Sequence, residues 1–197
     1  GHTGTLDPFA TGLLVCCFGR ATKISATMLE ADKAYEATLQ FGQETDSGDL
    51  TGNVVSQAPA DFAGVTLEAL EAVLPAFRGP ITQVPPMYSA LKRDGKPLYE
   101  YARQGIELER EARHLVIHDL QVQEFTPQSA RLFVRCSKGT YIRTLAQDIG
   151  RALGCFAHLT ALRRTELGPF HIDDAYTLDG LQAMEDPMSA LLANAAW

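Results

Sequence analysis

The chain has 197 residues, of which 46% are hydrophobic and 21% charged, an ordinary globular balance for one large domain or one and a half small ones. No apolar run approaches the ~18 residues of a membrane span, and the N-terminus lacks the basic-then-apolar pattern of a secretory leader, so a cytoplasmic protein is expected. The formal net charge is −7, yet residues 78–164 hold 14 of the 17 Lys and Arg and only 8 of the 24 Asp and Glu, which predicts a basic face able to meet a polyanion on an otherwise acidic body.

The first twelve residues, GHTGTLDPFATG, surround a single carboxylate, Asp7, with loop-forming residues. Asp before Pro is a natural turn residue, and Asp also caps helices. The glycine spacing matches neither G-x-x-x-x-G-K-[ST] nor G-x-G-x-x-G, and a phosphatase-type aspartate loop would need a second acid. Residues 13–18, LLVCCF, closed by Gly19, read as a short buried strand, and 21–32 read as a helix. Residues 33–42 alternate Tyr35, Ala37, Leu39 and Phe41 against Lys33, Glu36, Thr38 and Gln40, the pattern of a strand. GQETDSGDLTGN (42–53) is a polar loop whose ligand spacing is wrong for an EF-hand. Over 66–79 a helix is predicted, capped by Thr66, with Leu67, Leu70, Leu74 and Phe77 on one face and Gly79 at its end. Prolines then punctuate extended pieces up to a brief helix at 98–103. Residues 114–125 and 130–137 read as strands. A helix over 139–154 ends at Gly154, 156–170 are partly extended, and 177–184 form a short helix. Strands and helices interleave irregularly without a repeat. That pattern predicts an α+β fold, with a mixed or antiparallel central sheet flanked by helices, over a doubly wound one.

The four cysteines, Cys16, Cys17, Cys136 and Cys155, lack C-x-x-C spacing, so zinc is not expected and buried free thiols are. Of the histidines, His114 and His118 alone have i, i+4 spacing, and they fall in a strand-like segment. A metal-dependent hydrolase therefore has no clustered ligands here, and no metal site is read.

Five stretches in order, GHTGTLDPFATG, DKAYEATLQFGQETDSGD, PPMYSALKRDGKPLYEYARQG, CSKGTYIRTLAQDIG and HLTALRRTELG, resemble the TruB-type tRNA pseudouridine synthases. That family converts a uridine in the T loop of tRNA to pseudouridine. The resemblance runs from Gly1 to about residue 192. It implies the pseudouridine synthase fold with an active-site cleft, and it places the family's catalytic aspartate on Asp7. The arginine that pairs with that carboxylate falls on Arg143, and the tyrosine that packs on the target base falls on Tyr35. Base-contacting positions fall on Tyr141 and Leu162, and the histidine that helps hold the flipped-out RNA falls on His2. The family has a Lys-Pro strand before the catalytic loop and commonly a C-terminal RNA-binding PUA domain. Residues 1–197 therefore read as the catalytic domain, without either.

Isomerising uridine breaks the C–N glycosidic bond, turns the base and joins the sugar carbon to C5. The base must leave the stack to be handled. An ionised aspartate can attack the sugar or the base, or remove a proton to give a glycal. A desolvated carboxylate is pushed towards neutrality, and an arginine fork opposes this and orients it. No redox step occurs, so no cofactor is expected. The resemblance implies the T arm of tRNA as partner, with no membrane and no obligate protein partner. A tRNA-binding chaperone on the same fold is the rival reading. A pure binder, however, need not keep Asp7, Tyr35 and Arg143 together.

Overall fold

A computed structural model describes residues 1–192. In chain order its elements are β1 (Thr11–Gly12), α1 (Ser25–Leu29), β2 (Lys33–Phe41), β3 (Gln43–Thr45), β4 (Val54–Gln57), α2 (Leu67–Val73), β5 (Gly79–Gln83), β6 (Lys92–Arg93), β7 (Lys96–Pro97), α3 (Leu98–Arg103), β8 (Arg113–Thr126), β9 (Ser129–Cys136), α4 (Ile142–Ala152), β10 (Ala157–Leu167), β11 (Phe170–His171) and α5 (Leu178–Gln182). Seven strands form the central sheet in the order β1-β10-β2-β9-β8-β5, with β11 pairing on β10. The β1–β10 pair is parallel and the others are antiparallel. The result is a mixed sheet with helices against it, the α+β class expected.

Period-two patterning sets the faces. On β9, Ala130, Leu132, Val134 and Cys136 are buried, while Ser129, Arg131, Phe133 and Arg135 between them are partly exposed. On β2, Ala37, Leu39 and Phe41 share the buried side with Tyr35. Helix α4 covers this face with Ile142, Leu145, Ala146 and Ile149. Burying each of these Ile and Leu side chains contributes about 1.5–3 kcal/mol.

Glycine allows the close approach of α4 to β10. A Cβ on Gly150 would lie 2.2 Å from Ala157 N and 2.5 Å from Phe156 C. Gly150→Ala must push the helix off the strand. We expect a loss of about 3 kcal/mol, as for severe overpacking, and a thermal midpoint roughly 6–12 °C lower by calorimetry.

Several expectations need correction. Residues 13–18 are not a strand. They run extended beside residues 1–3, joined by a single antiparallel bridge, His2 to Cys16. Leu13 and Cys17 are buried, but Leu14, Phe18 and Cys16 are exposed, so three of the four thiols are buried. Residues 19–24 are 3-10 helix ahead of α1. Thr66 does cap α2, accepting from Ala69 N at 3.1 Å, but Leu67 faces solvent. The partly extended 156–170 contains a full strand. Register shifts at Leu159/Ala161 and Arg164/Glu166 break its alternation, and it is buried on both faces along much of its length, which together hid it from a periodicity reading.

Candidate active site

The site begins at a turn. Asp7 and Pro8 take its first two positions, and Asp7 O accepts from Ala10 N at 2.9 Å, a placement that suits both residues. Phe9 and Ala10 pack against the core and pin the turn from below. After it the chain runs into β1, where Gly12 (φ +107°) lies so near β10 that a Cβ would be 2.2 Å from Arg164 O. Only glycine tolerates both that conformation and that contact.

Arg143 meets this turn from the first turn of α4, 136 positions away in sequence. It is 5% exposed. Its Nε donates to Asp7 Oδ2 at 3.0 Å, Nη1 to Ser47 O at 2.8 Å and Nη2 to Tyr88 O at 2.7 Å. The expected carboxylate–guanidinium pair forms, through a single nitrogen. One nitrogen takes Asp7, and the other two bind the β3–β4 loop and the segment before β6. Three acceptors spread around one planar cation fix its orientation. The Asp7 side chain stays 38% exposed, so its carboxylate is held on one side and open on the other.

The polar 42–53 segment supplies the wall behind Ser47. Asp49 is buried, and its carboxylate accepts from Ser47 Oγ at 2.9 Å and from Thr51 N at 2.8 Å. At Gly48 (φ +83°) a Cβ would meet Arg143 Cβ at 2.9 Å, so a side chain here would push the loop off α4. Gln83, at the end of β5 and buried, holds α4 from the other side. It accepts from Tyr141 N at 3.0 Å and donates to Tyr141 O at 3.2 Å, in place of the side-chain cap that α4 lacks.

Tyr141 is half-buried, and its phenol lies near Asp7, Arg143 and Arg113. Ser89 Oγ sits beside that phenol but out of hydrogen-bond alignment. Burial raises the Tyr141 pKa, and the neighbouring Ser89 opposes the shift. Tyr35 is buried on β2, across the ladder from Arg164. Burial, reinforced by the neighbouring Cys136, pushes its phenol far up, and the Arg164 guanidinium opposes this. Tyr35 is thus a neutral phenol at physiological pH, within the fields of Arg164 and Asp7. Leu162 is buried opposite Ala37, two residues along β2 from Tyr35.

The structure therefore gathers Asp7, Arg143, Tyr35 and Tyr141, with Leu162 in the adjoining core. His2 stands apart. It is exposed, and its Nδ1 accepts from Gly4 N at 3.3 Å. Sequence reading missed Gln83, Ser47, Tyr88 and Arg164. Ser47 and Tyr88 act through main-chain oxygens, which no side-chain pattern reveals. Arg164 is buried on β10, with hydrogen bonds to the main chain of the 1–13 loop.

The basic residues of 78–164 do not share one side. Strand alternation turns Arg131, Arg135 and Arg163 away from the face that α4 covers. Arg131 pairs with Glu124 and Arg135 with Glu166. Arg151 pairs with Glu44, and Arg164 is internal. Cations without a carboxylate partner among the described residues include Arg20 and Lys23 after the Asp7 loop, Lys92 and Lys96 in the β6–β7 hairpin, and Arg113 beside Tyr141. No helix among the described residues is long and apolar enough to cross a membrane.

The chain is 70% identical over 98% of its length to a tRNA pseudouridine synthase B of Bordetella avium, covering 79% of that protein. It is 69% identical to the tRNA pseudouridine synthase B of Bordetella pertussis over the same shares. Among solved structures it resembles a chain in a crystal structure of a Cbf5–Nop10–Gar1 complex. That match has a TM-score of 0.69 and 30% identity, and covers 92% of this chain and 44% of that one. Residues 1–142 match the TruB family pseudouridylate synthase N-terminal domain, and residues 143–193 match the tRNA pseudouridylate synthase B C-terminal domain. The two models meet inside α4, so the Asp7–Arg143 pair ties one to the other. Matched in this way from residue 1 to residue 193, the chain belongs to the TruB family of pseudouridylate synthases, which are enzymes.

Proposed function

We propose that the chain isomerises a uridine in the T loop of tRNA to pseudouridine, with Asp7 as the reacting carboxylate. The observation that carries this reading is the Asp7–Arg143 pair, a carboxylate fixed on one side by a buried arginine and open on the other. The C–N glycosidic bond breaks, the freed base turns, and the sugar carbon bonds to C5. The C5 proton is lost and N1 gains one, so the product has the composition of the substrate. Attack by the carboxylate and proton removal by it both need an ionised Asp7 at one place. Arg143 holds it there.

The target base must leave the T loop stack to reach Asp7. Tyr35 then packs on the uracil, a contact worth roughly 1–3 kcal/mol per base, with Tyr141 and Leu162 closing around it. His2, on the outer part of the same loop, is assigned to the RNA conformation left behind. The three buried free thiols suit a reducing cytoplasm. The T arm is the partner, and no obligate protein partner is assigned.

Two tRNA transcripts test this reading, one unchanged and one with the T-loop uridine replaced by cytidine. Pseudouridine in the first and none in the second is the expected result. Equal yields in both would contradict the T-loop assignment, and tRNA binding without pseudouridine in either would contradict the isomerase reading.

Phosphate contacts make affinity fall with salt, by about 0.9 in log–log slope per phosphate. Arg20→Ala with Lys23→Ala is expected to lower the slope by about 2, measured by filter binding across salt. An unchanged slope would remove that segment from the RNA interface.

A further inference from the structure

We infer that Arg164 is a positioning residue for the reaction, whose buried guanidinium ties both ends of the Asp7 loop to β10, the strand paired with the one that carries Tyr35. The inference rests on the isomerase reading above and concerns a residue that touches neither Asp7 nor Arg143 in the described contacts.

Arg164 is 2% exposed. Its Nη2 donates to Gly4 O at 2.9 Å, Nη1 reaches Thr5 O at 3.4 Å, and Nε donates to Leu13 O at 2.9 Å. Two of these carbonyls precede Asp7 and one follows it, so a single planar group spans the loop. The main chain adds a fourth tie, from Leu13 N to Arg164 O at 2.8 Å. Gly12 makes that proximity possible. On the other side, Arg164 stands directly opposite Tyr35 in the β2–β10 ladder. Cross-strand partners on one face place their side chains side by side, and the guanidinium lies near enough to the Tyr35 phenol to oppose the rise in its pKa.

The charge is what needs explaining. Among the described residues, no carboxylate lies within ion-pairing distance of Arg164. A buried cation without a counter-ion is costly, and an apolar side chain of similar bulk often serves stability as well or better. Folding alone therefore gives no reason for arginine here. Geometry gives one. No other side chain presents five donors in a rigid plane, and the carbonyls of Gly4, Thr5 and Leu13 are spread around that plane, with Tyr35 across the ladder beside it. The outcome is that the loop holding Asp7 and the ring beneath the target base are referenced to the same atoms. Misplacement of a reacting group by about 1 Å costs about 10²-fold in rate.

The test is Arg164→Lys, which keeps the charge and loses the plane. Single-turnover rate and KM for an unmodified tRNA transcript are measured beside the parent, at a temperature where circular dichroism shows both folded. The expected result is a rate about 10²-fold lower with KM within about threefold, because no RNA-contacting cation is removed. A variant serving only the fold would turn over normally once folded, so a folded R164K with a rate within about threefold of the parent overturns the inference alone. A parent that binds tRNA and forms no pseudouridine overturns the isomerase reading and this inference with it. If R164K does not fold, a milder change remains. Ligating the chain with the α-hydroxy acid of residue 14 turns the 13–14 amide into an ester. That change weakens the Leu13 carbonyl as an acceptor and removes the Leu14 N–H, a group that donates to no main-chain carbonyl among the described residues. That chain is expected to lose about fivefold in rate with KM unchanged, and an unchanged rate overturns the inference.

Discussion

Asp7→Asn is expected to lower pseudouridine formation by about 10⁴-fold or more, while tRNA affinity changes by less than about threefold. Asparagine has the size of aspartate, and its carbonyl can still accept from Arg143 Nε. The turn, with its Asp7 O to Ala10 N hydrogen bond, uses main-chain atoms that the substitution leaves alone. Arg143 keeps the Ser47 and Tyr88 carbonyls. The Asp7 side chain is more than a third open to solvent but Arg143 is buried, so removing the counter-ion costs about 1–3 kcal/mol of stability, and rates are compared where both proteins are folded. The chemistry has no such substitute, because a neutral amide is a poor nucleophile and a poor base. Rates come from single-turnover reactions on an unmodified transcript, and affinities from filter binding. A folded D7N variant with a tenth of the parent rate would remove Asp7 from the reaction. If parent and variant bound alike and neither formed pseudouridine, the chain would be a tRNA-binding protein on an isomerase fold.

Arg143→Lys should be the second largest effect, with kcat lower by about 10²–10³-fold and KM changed far less. Lysine keeps one positive charge near Asp7 but concentrates its donors on a compact ammonium. In the parent, three nitrogens reach three chain segments, at 3.0 Å to Asp7, 2.8 Å to Ser47 and 2.7 Å to Tyr88. One ammonium cannot occupy all three places. At least one buried carbonyl then loses its donor, at about 1–3 kcal/mol, and Asp7 loses its fixed direction. The prediction is therefore compound: a lower thermal midpoint, a large fall in kcat and nearly unchanged tRNA affinity. Equal kcat in the folded lysine variant would show that charge alone suffices, and would contradict the orienting role given to the guanidinium.

What was legible in the sequence follows a physical division. Strands with one buried and one solvated face announce themselves, and 33–42 and 130–137 match β2 and β9 closely because their alternation is nearly unbroken. Residues 114–125 match β8 even though two register shifts, at Ile117/Asp119 and Val122/Glu124, interrupt it, because its exposed positions stay polar. β10 is instead buried on both faces along much of its length. The brief helix at 98–103 matches α3, and Thr66 was identifiable as a cap because it precedes an apolar stripe. β10 was obscured by that burial together with its register shifts, and residues 13–18 by an apolar run whose alternate members face outward. At the site, Asp7 and Arg143 were named through family motifs, and no local property of TYIR shows that its arginine travels 136 positions to a turn. The expected geometry was also too simple. The expected Asp7–Arg143 pair is there, but the guanidinium divides its donors between that one carboxylate and two main-chain carbonyls. Those carbonyls belong to any residue type, so Ser47 and Tyr88 carry no side-chain signature. The basic cluster in 78–164 was real in composition, but strand alternation sends part of it to the far face of the sheet.

The most direct measurement is the pseudouridine content of one unmodified tRNA transcript after incubation with the protein, read by nucleoside analysis and by position. The account predicts one pseudouridine per tRNA, in the T loop, formed by the parent and absent with Asp7→Asn. Pseudouridine formed at an undiminished rate by the Asp7→Asn protein, or no pseudouridine from a parent that binds the transcript, would contradict it.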